Sequence, residues 1–226
     1  MKIKIFLSIL LLPVIIYAES AKVTFLKGKV NVKEGIGKFK KIKKGDSIPE
    51  GAKIVTGNGS MVTLFYNGSE FKIMQNSKMV LNSLPGKDKE GKVEISKGFA
   101  WFKIENAKKN GFTAVTPTSA AGVRGTAFAT MYEPKPKMAM NCICHGKVEV
   151  SDKNSNSLMV EKGYGSAVSE KGVEKTEYVK DFKDNEVLPS FKDKIKKAPI
   201  LKNCLSCHKT KGWSLKGVVK DNAYGK

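Results

Sequence analysis

The sequence is poor in the side chains that most enzymes use for catalysis. It has only two histidines in 226 residues, and each of them, His145 and His208, directly follows a cysteine. Because histidine is the commonest general acid or base near neutral pH, acid–base chemistry has few candidate residues here. The sequence also has no serine nucleophile elbow, no HExxH zinc-protease motif and no glycine-rich phosphate loop. These absences predict that the protein is not an enzyme.

Long apolar runs are missing outside the first eighteen residues. There, Lys2 and Lys4 precede an apolar stretch that ends in a small-residue cleavage pattern at Ala18. This is the pattern of an export signal, and the stretch is shorter than the ~20 apolar residues that span a bilayer. We therefore predict a cleaved signal peptide at residues 1–18, no membrane span in the mature chain, and a periplasmic or secreted location.

Arginine is almost absent, although the chain is strongly basic with a formal net charge of +20. Such a charge favours nucleic acid as a partner in a cytoplasmic protein, but export excludes that partner. An anionic envelope surface or an acidic partner protein fits better, and a solvated basic surface is the simpler alternative. Of the 41 basic residues, only Arg124 is an arginine. A planar guanidinium can satisfy a carboxylate or several carbonyls, so we expect a half-buried arginine that clamps a strand end.

From residue 19 to about residue 174 the pattern is that of β-structure. Apolar and polar residues alternate over short runs, and clusters of Gly, Asn, Asp and Pro separate the runs. Glycine turns are predicted before three of these strands, at Gly28, Gly91 and Gly146. The predicted fold class is mainly all-β, an antiparallel sandwich or β-roll, followed by a short and mostly helical tail.

Several short motifs in this region together resemble the periplasmic domain of the FecR family. They include Gly28-Lys29-Val30, Lys44-Gly45-Asp46, Gly57-Asn58-Gly59-Ser60, Lys97-Gly98-Phe99-Ala100-Trp101-Phe102, Thr116-Pro117-Thr118, Val123-Arg124-Gly125-Thr126 and Gly146-Lys147-Val148-Glu149-Val150. The resemblance implies an all-β domain that senses or relays a signal, with Val123 to Thr126 as a structural motif. Founding members receive input from outer-membrane iron transporters and control a sigma factor. The sequence predicts neither their cytoplasmic segment nor their spanning helix, so we expect a stand-alone envelope binding module.

Near the C-terminus, Cys204-Leu205-Ser206-Cys207-His208 has the CxxCH spacing of a c-type haem attachment site. Two thiols three residues apart on a helical turn can each bond one edge of a porphyrin, and the adjacent imidazole can reach the iron. We predict one covalently bound haem c, held by Cys204 and Cys207, with His208 as the proximal ligand. A redox-active thiol pair and a zinc site are the alternatives.

The residues from Gly212 to Val218 resemble the stretch that follows the haem motif in small class I cytochromes c, although Trp213 stands where proline is usual. No methionine or histidine follows His208, so a sixth iron ligand would come from upstream, from a partner or from solvent. The candidates within the chain are His145, Met138 and Met140. We predict a linker and short helix at residues 175–199 and a haem-attachment segment at residues 200–226. So short a segment cannot bury a haem alone, so we expect it to dock on the β domain or to stay partly exposed.

The remaining cysteines, Cys142 and Cys144, lie in a CxCH sequence that does not have the haem spacing. On a strand they share one face, and His145 points to the other. Core thiols, disulfides to Cys204 and Cys207, and a zinc site that draws ligands from both clusters stay open.

Two functions follow from these features. The first is an exported haem protein for periplasmic electron exchange or redox or ligand sensing, with an envelope protein or redox carrier as its partner. The alternative is a non-redox envelope signalling or binding module whose cysteines are structural.

Overall fold

The computed structural model of the chain describes residues 19–176 apart from 87, 106, 108 and 109, and further on residues 182–183, 186–187, 193, 196 and 203. The described part of residues 19–176 consists of strands and turns, with no helix. This confirms the predicted all-β fold class. The predicted signal peptide, residues 1–18, lies outside the described residues.

Nine of the described strands form one antiparallel sheet, which we call sheet A. Their order across the sheet is β4 (Ser47–Pro49), β1 (Ser20–Lys27), β6 (Met61–Tyr66), β7 (Ser69–Ile73), β9 (Gly91–Lys103), β12 (Ala127–Glu133), β13 (Met138–His145), β16 (Gly165–Ser169) and β17 (Gly172–Thr176).

A second sheet, sheet B, shares β9 with the first and is antiparallel except for the β9–β10 pair. Its order is β3 (Lys40–Lys41), β2 (Val30–Lys33), β5 (Ala52–Thr56), β8 (Lys78–Ser83), β9, β10 (Phe112–Val115), β11 (Ser119–Val123), β14 (Lys147–Asp152) and β15 (Ser157–Glu161). A separate two-stranded pair contains β18 (Phe182–Lys183) and β19 (Glu186–Val187).

Strand β9 connects the sheets because its two halves pair with different neighbours. Its residues up to Lys97 pair with β8 and β10 in sheet B, and its residues from Gly98 onward pair with β7 and β12 in sheet A. Gly98 has a φ of 98°, a conformation that side chains with a Cβ rarely adopt. A glycine is therefore needed where the strand passes from one sheet to the other.

The hydrophobic core lies between the two sheets and contains residues of both. Phe102 of β9 is central to it, since its ring centroid lies 5.2 Å from that of Phe112 in sheet B and 5.2 Å from that of Phe128 in sheet A. All three side chains are fully buried. A buried phenylalanine contributes about 1.5–3 kcal/mol through removal of apolar area from water, so this cluster stabilises the contact between the sheets.

The sequence predictions for local structure are mostly confirmed, with two corrections. Gly28 and Gly146 adopt left-handed turn conformations before β2 and β14, as predicted. Gly91 instead begins β9, and a Cβ there would meet the ring of Phe112 and the backbone of Pro85 at 2.8 Å, so close packing explains this glycine. The second correction is that β9 and β10 pair in parallel, with Phe112 opposite Gly91, in an otherwise antiparallel arrangement.

Little of the tail is described. Asp193 and Lys196 are helical and form an ion pair of 2.9 Å, in the region where the sequence predicts a short helix. No helix within the described residues is long and apolar enough to cross a membrane.

Candidate functional site

A groove of about 490 Å³ lies on the outer face of sheet B. The register of β10, β11, β14 and β15 places Thr113, Gly122, Glu149 and Met159 in one row across this face. Gly122 has no side chain, so no side chain rises from the sheet surface at that position of the row. Arg124, the single arginine of the chain, lines the same groove.

The groove contains charges of both signs. Glu90 accepts a hydrogen bond of 2.6 Å from the Thr113 hydroxyl, and Lys147 lies 2.8 Å from Glu161. This contact raises the pKa of Lys147 and lowers the pKa of Glu161. Both groups therefore stay charged near neutral pH.

Arg124 and Glu149 differ from these paired groups. Both are exposed, and neither has an ion-pair partner among the described residues. An unpaired cation and an unpaired anion in one groove can bind a ligand that carries both an acidic and a basic group. Arg124 is thus exposed at the groove, whereas the sequence predicted a half-buried clamp.

In the Val123-Arg124-Gly125-Thr126 motif, Val123 ends β11, and the other three residues form the connection to β12. Val123 and Thr126 are buried, and Gly125 has a φ of 80°. A Cβ at Gly146 would meet the Thr126 side chain at 2.7 Å, so the two connections pack tightly. The motif therefore directs Arg124 outward from a constrained turn.

The candidate distal haem ligands lie on β13 in different environments. Met140 is buried, Met138 is partly buried, and His145 is exposed at the end of the strand. Cys142 is buried and Cys144 is partly buried. In the pairing of β12 with β13, Ile143 lies opposite Phe128 and His145 lies opposite Ala127. No residue of β12 therefore lies opposite Cys144.

The predicted haem-attachment residues Cys204, Cys207 and His208 lie outside the described residues, as does most of the segment 200–226. The described residue next to them, Asn203, is 8% exposed. Within the described part of the chain, no group of three or more His, Cys, Asp or Glu side chains could hold a metal ion.

Sequence reasoning missed a second surface, on the outer side of sheet A. We call it the Trp101 face, and its members are Thr63, Lys72, Phe99, Trp101, Ala129, Met131, Met140 and Cys142, all at most 8% exposed. One row of the register runs from Lys72 through Trp101 and Ala129 to Cys142, and the next runs from Phe99 through Met131 to Met140. The sequence signal for this surface was the run from Ala127 to Tyr132, in which apolar and polar residues do not alternate. Both faces of β12 are buried, and a strand buried on both faces needs no such alternation.

Lys72 lies at one side of the Trp101 face. Its amine is 3.1 Å from the Glu70 carboxylate and 4.7 Å from the centroid of the Trp101 ring. An aromatic ring attracts a cation above its face, so these contacts stabilise a lysine that is only 7% exposed.

Comparison with known proteins identifies the central part of the chain. Residues 52–149 match the protein family described as FecR protein. They form a FecR-family domain. The match runs from β5 to β14, and the flanking strands complete both sheets. It includes the residues that line the groove around Arg124, which we call the Arg124 groove, except Met159. A search of the curated proteins found no match.

Two crystal structures from Parabacteroides distasonis ATCC 8503, both described as candidate anti-sigma factors, resemble this chain. The structure at 1.65 Å resolution has a TM-score of 0.51 and 16% identity, over 67% of this chain and 74% of its own. The structure at 2.50 Å has a TM-score of 0.49 and 17% identity, over 57% of this chain and 61% of its own. The chain thus spans about three fifths of one relative and three quarters of the other. At these identities the likeness of the 1.65 Å structure shows a shared fold around the FecR-family domain.

Proposed function

We propose that the chain is an exported envelope signalling module whose FecR-family domain receives its input by binding a partner protein. The observation that carries this proposal is the FecR-family match over residues 52–149, in a fold shared with a candidate anti-sigma factor. The export pattern of residues 1–18 supports an envelope location. The domain itself has few groups for acid–base chemistry, which supports binding rather than catalysis.

The Arg124 groove is the binding site in this proposal. Arg124 and Glu149, which have no ion-pair partner within the described part of the chain, are complementary to a peptide segment that carries an acidic and a basic side chain. Met159, which is 51% exposed at the edge of the groove, adds an apolar contact. Charged pairs at an interface give specificity, and apolar contacts give affinity.

Photocrosslinking in the native envelope tests this proposal. Met159→p-benzoylphenylalanine places the probe at the groove, and Phe39→p-benzoylphenylalanine is a matched control, since Phe39 is also 51% exposed but lies outside the groove. We expect one discrete crosslinked envelope protein from position 159 and not from position 39, with a several-fold lower yield after Arg124→Ala. Capture of the same proteins from both positions, or a yield that does not depend on Arg124, would overturn the proposal.

A second function, haem-dependent electron exchange or sensing, is favoured by the Cys204-Leu205-Ser206-Cys207-His208 motif. Two thiols and an imidazole are the donor set that holds a c-type haem, so the residues present fit the group. When bound, the haem would supply a one-electron couple. Cys204 and Cys207 would anchor it, and His208 would bind the iron. Zinc bound by the same thiols is the alternative.

The intact mass of the mature protein from its own envelope distinguishes these cases. The second function predicts the mass of the chain plus one haem, and a Soret band that survives acid–acetone extraction. Cys204→Ser with Cys207→Ser should abolish both signals, whereas Cys142→Ser should retain them. An unmodified C-terminal peptide, in cells whose other cytochromes carry haem, would rule out the haem function and leave the signalling proposal standing.

A further inference from the structure

The outer faces of the two sheets differ sharply in composition. On sheet B, the outer row contains Lys92, Thr113, Glu149 and Met159, and these residues are partly or fully exposed. This is the ordinary arrangement, in which one face of an antiparallel sheet packs on the core and the other meets water. The outer face of sheet A does not follow it.

The Trp101 face is buried and, apart from Thr63 and Lys72, apolar. Phe99 and Met131 are 0% exposed, Trp101 is 3% exposed and Met140 is 4% exposed. None of them belongs to the core between the sheets. Aromatic side chains of this size each bury about 150–250 Å², and monomers rarely leave such a contiguous apolar surface in water.

The described strands do not supply a cover for this face. Each belongs to sheet A or sheet B, apart from the short pair β18 and β19. Sheet B packs against the opposite side of sheet A through the shared core. These side chains are buried within a single chain, so a part of the chain outside the described strands lies over the Trp101 face.

The chain leaves sheet A beside this face. Thr176 at the end of β17 is opposite Gly165, and Gly165 is opposite Cys142, so residues 177–226 begin from the same outer row. Asn203 within that segment is buried. Ile200, Leu201 and Leu205 surround Asn203 in sequence and provide apolar side chains for such a contact.

We propose that the C-terminal segment, residues 200–226, docks on the Trp101 face. This surface contains only some of the predicted partners of the Cys204–His208 motif. Met140 and Cys142 lie on the docking surface, whereas His145 lies beyond the irregularity at Cys144 and is exposed. The docking goes beyond the proposed function and holds whether the motif carries haem, zinc or a disulfide.

Photocrosslinking within the purified mature protein tests the docking. Ala167 lies on the outer side of sheet A opposite Met140, and Ala120 lies on the outer side of sheet B opposite Ser151. Both alanines are partly exposed, so p-benzoylphenylalanine at position 120 is a matched control for the same probe at position 167. We expect position 167 to crosslink within one chain to a peptide from residues 200–226, and position 120 not to do so.

A variant in the segment makes the test specific. Leu201→Asp should lower the crosslink from position 167 several-fold, because a carboxylate cannot enter an apolar contact without a partner. Leu201→Met, the conservative variant, should keep the crosslink yield of the parent protein. The far-ultraviolet circular dichroism of both variants should match that of the parent. A crosslinked dimer, a crosslink to another region, no crosslink from position 167, or equal yields from Leu201→Asp and the parent would each overturn the proposal. None of these results depends on the partner of the Arg124 groove.

Discussion

The backbone amide of Phe99 donates a hydrogen bond of 3.0 Å to the Ser77 hydroxyl, which in turn donates a hydrogen bond of 3.2 Å to the Phe99 carbonyl. Both residues are almost fully buried. The pair holds β9 directly after Gly98, where the strand passes from sheet B to sheet A. A Cβ at Gly98 would overlap both the backbone and the side chain of Ser77, so the contact between the two segments requires glycine.

The first prediction concerns Gly98→Ala. We expect it to lower the free energy of unfolding by about 2–5 kcal/mol, from about 1–2 kcal/mol for the left-handed backbone and about 1–3 kcal/mol for the overlap with Ser77. Gly45→Ala is the control, because Gly45 has a φ of 94° but no atom within 4 Å of an added Cβ. Urea unfolding of the mature protein measures both variants. If the two variants are equally stable, the overlap at Ser77 has no energetic effect.

The second prediction concerns a buried polar row between β12, β13 and β16. The Thr130 hydroxyl donates to Asn141 Oδ1 at 2.7 Å, and Asn141 Nδ2 donates to Ser166 Oγ at 3.1 Å. All three residues are 0% exposed. Thr130→Val should lower the stability by about 1–3 kcal/mol, because a buried acceptor loses its donor. Thr24→Val is the control, since Thr24 is exposed and its hydroxyl bonds a backbone carbonyl at 3.3 Å.

A double-mutant cycle shows whether Thr130 and Asn141 act together. Thr130→Val combined with Asn141→Leu removes the unsatisfied acceptor, so the loss of stability should be smaller than the sum of the single losses. Additive losses would mean that the hydrogen bond contributes nothing specific to the sheet.

Local pattern predicted the strands well because alternation reflects which side chains face the core. Phe71 and Ile73, for example, are spaced by two and are both 0% exposed. Pattern could not predict that β9 divides between two sheets or that β10 pairs with it in parallel. Those features depend on contacts between residues far apart in sequence, such as Ser77 with Phe99.

The candidate sites were only partly predictable for the same reason. The rarity of arginine drew attention to Arg124, but its exposure depends on the turn between β11 and β12. The groove also needs Glu149, which ordinary sequence reasoning assigns to a solvated strand face. The partial burial of Met138 and the deeper burial of Met140 follow from their positions on β13, which the sequence pattern did not specify.

The third prediction concerns the pKa of Asp152, the last residue of β14. The side chain of Asn156 donates to one carboxylate oxygen at 2.9 Å, and the backbone amides of Asn154 and Asn156 donate to the other at 2.8 and 3.0 Å. The Asn156 side chain is the main cause of the lowered pKa of Asp152, burial opposes it, and the backbone hydrogen bonds add to the lowering. This carboxylate therefore stabilises the fold at pH values above the ordinary Asp value of about 3.9.

The sign of the pH dependence follows from that direction. Because the folded pKa is below the unfolded one, the contribution is lost as the pH falls through the folded value. Asn156→Ala should raise the pKa of Asp152 and move this loss to higher pH, whereas Asn154→Ala, which keeps its backbone donor, should not. Carboxyl titration by NMR measures both shifts. An unchanged Asp152 pKa in Asn156→Ala would assign the lowering to the backbone donors alone.

The fourth prediction compares two phenylalanines on opposite sides of sheet A. Phe102 contacts Phe112 and Phe128 in the shared core, whereas Phe65 is 45% exposed. Phe102→Ala should lower the free energy of unfolding by about 3–5 kcal/mol, because the rings that line the cavity come from both sheets and cannot close it. Phe65→Ala should lower it by less than about 1 kcal/mol, since a half-exposed side chain leaves no cavity. Chemical denaturation measures both, and a small effect at Phe102 would mean that the two sheets are held together elsewhere.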